Sequence, residues 1–414
     1  MSGSADIEIR SSSIPQAWAR RALFAILDRL EEGRITIEEP TASYRFGASA
    51  SPSATIIIRD PAAYPRLLFG GTIGAGETYV EGLWDSDDLT SLIRILVRNR
   101  RMLARFEKHP LAWLLRPMSI ITHLRRFNSR RGSKQNIISH YDLGNELYQS
   151  FLDPTMTYSS AIYPDAETTL DEAAIFKLDH ICRRLGLTPG DRVIEIGGGW
   201  GGFAIHAATH YGCHVTTTTI SDAQYKEAKR RIEAAGLTDK IKLIQQDYRD
   251  LSGHYDKLVS IEMIEAVGYS YLPGFFKKCC SLLKKDGQIL IQAITMRDQY
   301  YQSYLRHVDF IQKHIFPGGC LVSNSHMLEL LREKTDMVVH GLEDFGLDYA
   351  RTLAHWRTRF TRAFPRLRQH GFDERFRRLW EFYLSYCEGG FRERSISVVQ
   401  LVAARPGYQG ALGR

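Results

Sequence analysis

Val193-Ile194-Glu195-Ile196-Gly197-Gly198-Gly199-Trp200-Gly201-Gly202 decides how this chain is read. An apolar run ends in an acidic residue and then in glycines, the pattern of a buried strand that opens into a tight turn. Phe203, Ile205, His206 and Ala207 begin an amphipathic run that reads as a helix. Glycine lets the backbone approach a ligand closely, because no Cβ stands in the way. The turn also aims the first N–H groups of the helix into the gap above the strand. Such a geometry suits a nucleoside cofactor.

The spacing narrows the choice. The order is Glu-x-Gly-x-Gly-x-Gly. A dinucleotide site wants G-x-G-x-x-G with an acidic residue roughly 20 positions on. Here that later region is Thr216-Thr217-Thr218-Thr219-Ile220-Ser221, and Asp222 arrives only on the next helix. The pattern resembles motif I of S-adenosylmethionine-dependent methyltransferases. A glycine turn used only for packing is the simpler alternative.

Outward from this stretch, helices and strands alternate. Helices are expected at 169–186, 200–211, 222–235 and 271–285. Strands are expected at 192–196, 214–219, 241–244, 256–261 and 287–294. This alternation argues for a parallel, doubly wound sheet, whose ligands sit at the carboxyl ends of the strands. Glu195, Thr219, Asp247, Glu262 and Gln292 fall at or just beyond such ends. A helical insert over 298–334 precedes closing strands at Met337-Val-Val-His-Gly and Ile396-Ser-Val-Val-Gln-Leu-Val. Toward the N-terminus the elements are short and mixed. A helix is expected over Ala17–Leu30 and strands at 35–38 and 55–59. A glycine-punctuated stretch runs from Gly70 to Trp84, and a helix starts behind the acid cluster Asp85-Ser-Asp-Asp-Leu89.

A length of 414 residues suggests two domains. With 44% hydrophobic and 24% charged residues, the composition is that of a globular protein. No run approaches the roughly 18 consecutive apolar residues of a membrane span. The N-terminus shows no signal-peptide pattern. Six cysteines have no metal-ligand spacing, and Cys279-Cys280 reads as helix surface and core, so a reducing cytoplasm is expected. The net charge of +7 is uneven: Arg94–Lys134 holds twelve Lys/Arg against Glu107, a local +11 that leaves about −4 elsewhere. Trp113, Leu114, Met118, Ile121 and Phe127 interleave with those cations, as on a surface that meets an anionic bilayer. No nucleic-acid reader module accompanies them. A solvated linker face is the plain alternative.

Several motifs then occur in order: His140-Tyr-Asp-Leu-Gly-Asn145, Tyr158-Ser159, Gly197–Gly202, Thr219-Ile-Ser-Asp-Ala-Gln224, Gln246-Asp-Tyr-Arg-Asp250, Glu262-Met-Ile-Glu265, Ile315-Phe-Pro-Gly-Gly-Cys320 and Phe345-Gly-Leu-Asp-Tyr349. Together, over about 135–405, they resemble cyclopropane-fatty-acid synthases and mycolic-acid cyclopropane synthases. Gly71–Leu89 resembles the small lipid-binding domain of the two-domain bacterial enzymes. The resemblance implies a Rossmann-like α/β class I methyltransferase domain with a helical insert, preceded by a smaller α+β lipid-binding-like domain. The boundaries read are 1–128, a linker at 129–140, and 141–414. It implies methylene transfer from S-adenosylmethionine to a cis double bond of a phospholipid acyl chain, peripheral to the inner membrane surface. A homodimer is admitted and not required.

The resemblance also distributes roles. Glu195, Gly197, Gly198, Gly199, Trp200 and Gly201 would face the methionine and ribose side of the cofactor, with Tyr158 and Ser159 closing over it. Thr219, Ile220, Ser221 and Gln224 would follow at the ribose, although Ser221-x-x-Gln224 is also a helix capping box. Gln246, Asp247 and Tyr248 would grip adenine, and Glu262 completes the set. Glu265 ranks first for chemistry: with Tyr349 and the backbone of Ile294 it matches groups that hold a bicarbonate base. A carboxylate capping a helix is its structural alternative. Cys387 matches a cysteine nominated as catalytic, but an alkene methylation requires no thiolate and packing is the preferred reading. Tyr300, Tyr301 and Tyr304 fall in the insert, as tunnel lining or as core. No metal is expected.

Three positions depart from the family pattern. Ser160 stands where a cysteine is usual, Gln292 where a histidine is usual, and Ala266 follows Glu265 in place of histidine. Ser and Gln still donate hydrogen bonds to an anion, but neither supplies a titratable imidazole or thiol. Bicarbonate binding and the ring-closing deprotonation are therefore left open. Rival readings are methyl transfer without ring closure, a small-molecule methyltransferase, and a lipid-binding protein with a dead catalytic domain.

Overall fold

The structure is a computed structural model that describes residues 14–107 and 144–410. The chain divides into two compact units, Met1–Ser119 with Phe372–Glu393, and Ile120–Gly371 with Arg394–Arg414. Among the described residues no helix is long and apolar enough to cross a membrane. Most of the basic window and the expected linker lie outside the described residues.

In the first unit, helices α1 (Ile14–Leu27), α2 (Ala63–Phe69), α3 (Gly71–Val80), α4 (Leu89–Arg98) and α5 (Arg100–Glu107) accompany a four-stranded sheet. Its strands are β1 (Arg34–Glu39), β2 (Ala42–Phe46), β3 (Ser53–Ile58) and β4 (Trp84–Ser86), in the order β2-β1-β3-β4. The glycine-punctuated stretch is helix α3. A Cβ on Gly74 would stand 2.2 Å from the Arg66 carbonyl oxygen, so glycine here permits close packing of α2 against α3. The acid cluster does start a helix: the Asp88 carboxylate accepts from the Ser91 amide at 2.9 Å and caps α4.

A late helix, Glu374–Arg392, belongs to this first unit, whereas the sequence boundary placed it in the catalytic domain. Its attachment is polar and specific. Arg378 donates to the Tyr79 carbonyl at 2.6 Å, the Trp84 carbonyl at 2.8 Å and the Asp85 carboxylate at 2.9 Å. Thr90 donates to Glu388 at 3.0 Å, and Arg94 and Arg98 both donate to Glu393. Those two arginines, counted above toward a bilayer-facing charge, are thus already paired.

The second unit adds α6 (Asn145–Gln149), α7 (Leu170–Arg184), β5 (Arg192–Ile196), α8 (Gly202–Tyr211), β6 (His214–Thr219), α9 (Asp222–Ala234), β7 (Ile241–Gln245) and β8 (Tyr255–Ile261). Then follow α10 (Leu272–Leu282), β9 (Leu283–Met296), the insert helices α11 (Asp298–Tyr304), α12 (Phe310–His314) and α13 (Asn324–Lys334), β10 (Val338–Asp344), α14 (Gly346–Gln369) and β11 (Ile396–Ala404); the late helix above is α15 in chain order. Seven strands pair in the order β10-β11-β9-β8-β5-β6-β7. The sheet is not wholly parallel, because β11 runs antiparallel to both β9 and β10. Both faces are covered. Ile194, Ile196, Leu258 and Ile291 join Phe275 and Phe276 in one core, while Val193, Val215, Val259 and Leu290 join Leu178 and Phe203 in the other. Adjacent strand residues point to opposite faces, which explains the unbroken apolar runs.

Replacing Arg378 by Met should lower the urea midpoint of unfolding by the equivalent of about 2 kcal/mol, since it removes the guanidinium's hydrogen bonds to the Asp85 carboxylate and the Tyr79 and Trp84 carbonyls. An unchanged midpoint would show that α15 is held by apolar contact alone.

Candidate active site

The glycine turn follows β5 directly. Gly197, Gly199 and Gly201 take left-handed φ values of +87°, +53° and +84°. Gly198 is fixed by space: a Cβ there would lie 1.9 Å from Thr217 Oγ1 and 2.8 Å from Glu195 Oε2. Its amide donates to the Thr218 carbonyl at 2.8 Å, which ties the turn to β6. Helix α8 starts at Gly202, so its first N–H groups open over the rim.

Beside the turn stands a wall of aromatic rings. Tyr158 stacks on Trp356, with centroids 5.2 Å apart, and meets the edge of Tyr148. Trp200 packs on Tyr148 and donates from its indole nitrogen to Asn145 at 2.9 Å. Thr219 Oγ1 donates to Gln224 Oε1 at 2.8 Å, and Ser221 caps α9 through the Gln224 amide. The Gln224 side chain therefore turns toward β6, and the reciprocal half of a capping box is absent. Ile220 adjoins this corner on the β6–α9 turn. After β7, Gln246 donates to the Asp250 carbonyl, and Arg249 grips both oxygens of Asp247 at 2.8 and 2.6 Å. Tyr248 packs its ring on Phe275.

Glu195 is buried, and Thr217 Oγ1 donates to it at 2.5 Å. Burial pushes its carboxyl up to about 7, opposed by that hydrogen bond and by the charge of Lys177. Lys177 was missed in the sequence. It is fully buried on α7, donates to Ser159 Oγ at 2.8 Å, and is pushed down to about 8 by burial, against the pull of Glu262, Asp153 and Glu195. The signal was present: Leu170, Ala173, Ala174, Lys177, Leu178 and Ile181 form one apolar helical stripe with a lysine inside it.

The residues assigned to chemistry converge just past β8. Glu262 takes a left-handed φ of +48°. Its Oε1 accepts from the Ser160 amide at 2.8 Å and from Gln292 Nε2 at 2.8 Å, and the Tyr349 side chain is a third hydrogen-bond partner. It is the backbone of Ser160 that serves; its hydroxyl donates to the Ala161 carbonyl. Gln292 is oriented by Gln400, its register partner on β11, which donates to Gln292 Oε1 at 3.1 Å. Glu265 sits on a 3-10 turn, Ile264–Ala266, and its Oε1 accepts from the Ile294 amide at 2.5 Å. Its Oε2 is buried with no hydrogen-bond partner among the described residues. Burial first, and then the neighbouring Glu262 charge, push Glu265 up to about 8.

Cys387 lies half-buried on α15, in the other unit. Tyr301 and Tyr304 are buried in a small cluster with Cys320, and the Tyr304 hydroxyl accepts from the Leu321 amide and Gln312. Tyr300 is half-buried, with the Arg297 guanidinium over its ring.

Residues 128–401 match the family model described as mycolic acid cyclopropane synthetase. The chain belongs to that family. It is 37% identical over 385 residues to a tuberculostearic acid methyltransferase of Mycobacterium tuberculosis, covering 90% of this chain and 88% of that one. It is 36% identical over 359 residues to the cyclopropane-fatty-acyl-phospholipid synthase of Escherichia coli, covering 86% and 89%. A mycolic acid cyclopropane synthase solved with SAH and CTAB superposes at a TM-score of 0.62 with 28% identity, covering 66% of this chain and 98% of that one. The chain is an S-adenosylmethionine-dependent methyltransferase with the Rossmann-like fold of its class.

Two outcomes follow from this geometry. Gly198→Ala should abolish binding of S-adenosylhomocysteine by calorimetry in folded protein, because the new methyl group displaces Thr217 or the turn. Binding retained at wild-type strength would refute the space argument. Glu265 has a raised carboxyl in the folded state, so the native protein holds a proton that the unfolded chain has released above its ordinary value of 4.5. Its stabilising contribution is full below that value and declines as pH climbs toward about 8. Glu265→Gln should therefore gain stability relative to wild type across that interval, by at most about 1.4 kcal/mol per pH unit. Parallel urea curves at each pH would show no such trend if the carboxyl titrates normally.

Proposed function

We propose that this enzyme methylates a carbon–carbon double bond in the acyl chain of a membrane phospholipid, at the rim past β5 and β8 that carries Glu195, Glu262 and Glu265. The observation that carries the reading is the pairing of an aromatic wall with a donor-held carboxylate beside the glycine turn. Two relatives are named for methyl or methylene transfer to fatty acyl chains. A third was solved with SAH and a long-chain alkyl detergent.

The cofactor, when bound, supplies an electrophilic methyl group. In this reading Glu195, Gly197 and Gly199 hold its methionine and ribose side, with Gln224 reaching the ribose. Asp247 reaches adenine, although Arg249 already occupies it, so that contact requires sharing. An alkene is a weak nucleophile, and its alignment has to be imposed. Tyr158, half-buried and backed by Tyr148 and Trp356, offers a π face to the cationic carbon that methylation creates, and the bulk of the three rings excludes water. Glu262 adds a negative charge nearby. The basic Arg94–Lys134 window, apart from the paired Arg94 and Arg98, is the segment we assign to an anionic bilayer surface.

The product distinguishes ring formation from an open chain. With trideuteromethyl cofactor and a monounsaturated phospholipid, a cyclopropane keeps two deuterons and resists mild catalytic hydrogenation. An open-chain product either keeps three or takes up hydrogen. We expect label in the acyl chain, detected by mass spectrometry. Unaltered lipid in the presence of folded, cofactor-binding enzyme would overturn the reading.

A further inference from the structure

We propose that Glu262 is the catalytic base of this enzyme, a carboxylate built into the chain where the family resemblance implies a bound bicarbonate. The inference rests on the reading above, in which an alkene receives the methyl group.

The resemblance assigned an anion to Ser160, Gln292, Tyr349, Glu265 and Ile294. The structure tests that fit. Ser160 turns its amide onto Glu262 at 2.8 Å, Gln292 turns its amide nitrogen onto the same oxygen at 2.8 Å, and Tyr349 pairs with the same carboxylate. The Ile294 amide is taken by Glu265. Every donor named for the ion is thus engaged by a side chain of the protein itself. A second anion would have to displace a carboxylate and then sit beside it, and like charges at one site oppose each other. Bicarbonate does not fit this arrangement.

The backbone points the same way. Glu262 sits at φ +48°, a conformation that glycine adopts freely and glutamate does not. Strain of this kind persists where surroundings over-determine it, and it gathers at functional sites. Here the Glu262 amide donates to the Gln292 carbonyl at 2.8 Å, while the Gln292 side chain holds the carboxylate. One residue on β9 therefore fixes both ends of Glu262, and Gln400 fixes that residue in turn.

The neighbours divide the labour. Lys177 lies within electrostatic reach of Glu262 and favours its ionised form. Glu265 is the group that stays protonated: its Oε1 accepts from Ile294, which leaves Oε2 to carry the proton. Burial raises both carboxyls; at Glu262 the Gln292, Ser160 and Tyr349 hydrogen bonds and the Lys177 charge oppose the rise, whereas Glu265 has only backbone amides against it.

The step balances without any further reactant. The alkene π pair forms a bond to the methyl carbon as the bond from that carbon to sulfur breaks, and the thioether leaves. The adjacent carbon becomes cationic. Glu262 removes one proton from the new methyl group, and the C–H electron pair closes the ring onto the cation. Removal of a different proton by the same carboxylate gives an open-chain alkene instead. Solvent takes the proton from Glu262 once the lipid leaves.

The test uses full-length wild type, Glu262→Gly and Glu262→Gln on vesicles of a monounsaturated phospholipid. Buffer stripped of carbon dioxide is compared with buffer to which bicarbonate is restored, and calorimetry with S-adenosylhomocysteine checks that each protein keeps its cofactor site. Wild type should turn over equally in both buffers. Both variants should lose on the order of 10²-fold or more in stripped buffer. Bicarbonate should rescue Glu262→Gly, which frees the donors, and not Glu262→Gln, whose amide still fills the space. A structural role alone would produce no such split. The proposal is overturned if stripping bicarbonate silences wild type, or if either variant matches wild type without the ion. If Glu262→Gly loses its cofactor site, Glu262→Gln decides by its rate in stripped buffer. A wild type that binds S-adenosylhomocysteine but alters no lipid overturns the parent reading, and the proposal with it.

Discussion

Charge burial governs this site. Glu195, Glu262 and Asp153 are gathered around one fully buried ammonium, Lys177, and Glu265 stands beside Glu262. Removing ionised groups from water costs several kcal/mol each even after relaxation, so four carboxylates cannot all stay charged there. The structure answers in three ways. Burial raises Glu262, and its converging donors and the Lys177 charge oppose that rise. Glu195 shares the field of Lys177 and a short hydrogen bond from Thr217. Glu265 keeps its proton. In the proposed alkene methylation, negative charge held in place in this way would need no reorganisation when positive charge appears.

Strand register delivers these groups. Glu195 on β5, Glu262 after β8 and Gln292 on β9 come from neighbouring parallel strands that end at the same rim. The antiparallel strand β11 then supplies Gln400 directly across from Gln292. Had β11 continued the parallel pattern, its pairing with β9 would differ and the amide chain from Gln400 through Gln292 to Glu262 would be lost. The strand that breaks the doubly wound pattern is thus the one that orients the carboxylate.

Much of this was legible from the residues. The glycine turn and five strand positions were read in place, because apolar runs and glycine spacing are local signals; Ser160, Gln292, Ile294 and Tyr349 came from the resemblance, and the structure gathers them on Glu262 and Glu265. What escaped depended on distant contacts. Lys177 was not singled out, although it sits inside an apolar helical stripe. Arg249 stood two residues from Asp247 and still went unread as its partner. Glu262 was grouped with cofactor contacts, because no local pattern reveals that donors from segments a hundred residues apart meet on one oxygen. The membership of α15 escaped for the same reason: Arg378 meets Tyr79, Trp84 and Asp85 across nearly 300 positions.

That last contact changes how the chain is divided. A cut near residue 140 looks natural from composition, yet the C-terminal piece would carry α15 without the elements it packs on. Its buried ring surfaces, Trp380, Phe382, Tyr383 and Phe391, would face water. Arg378 and Glu388 would lose the partners that satisfy them. Exposed apolar area of that size drives association rather than clean folding. The N-terminal unit is therefore completed by residues that the catalytic chain delivers just before β11, the strand that orients Gln292. Folding of the N-terminal unit and closure of the catalytic sheet draw on one continuous segment, Phe372 to Ala404, and a truncation that removes the partners of α15 leaves that segment without one of its two anchors.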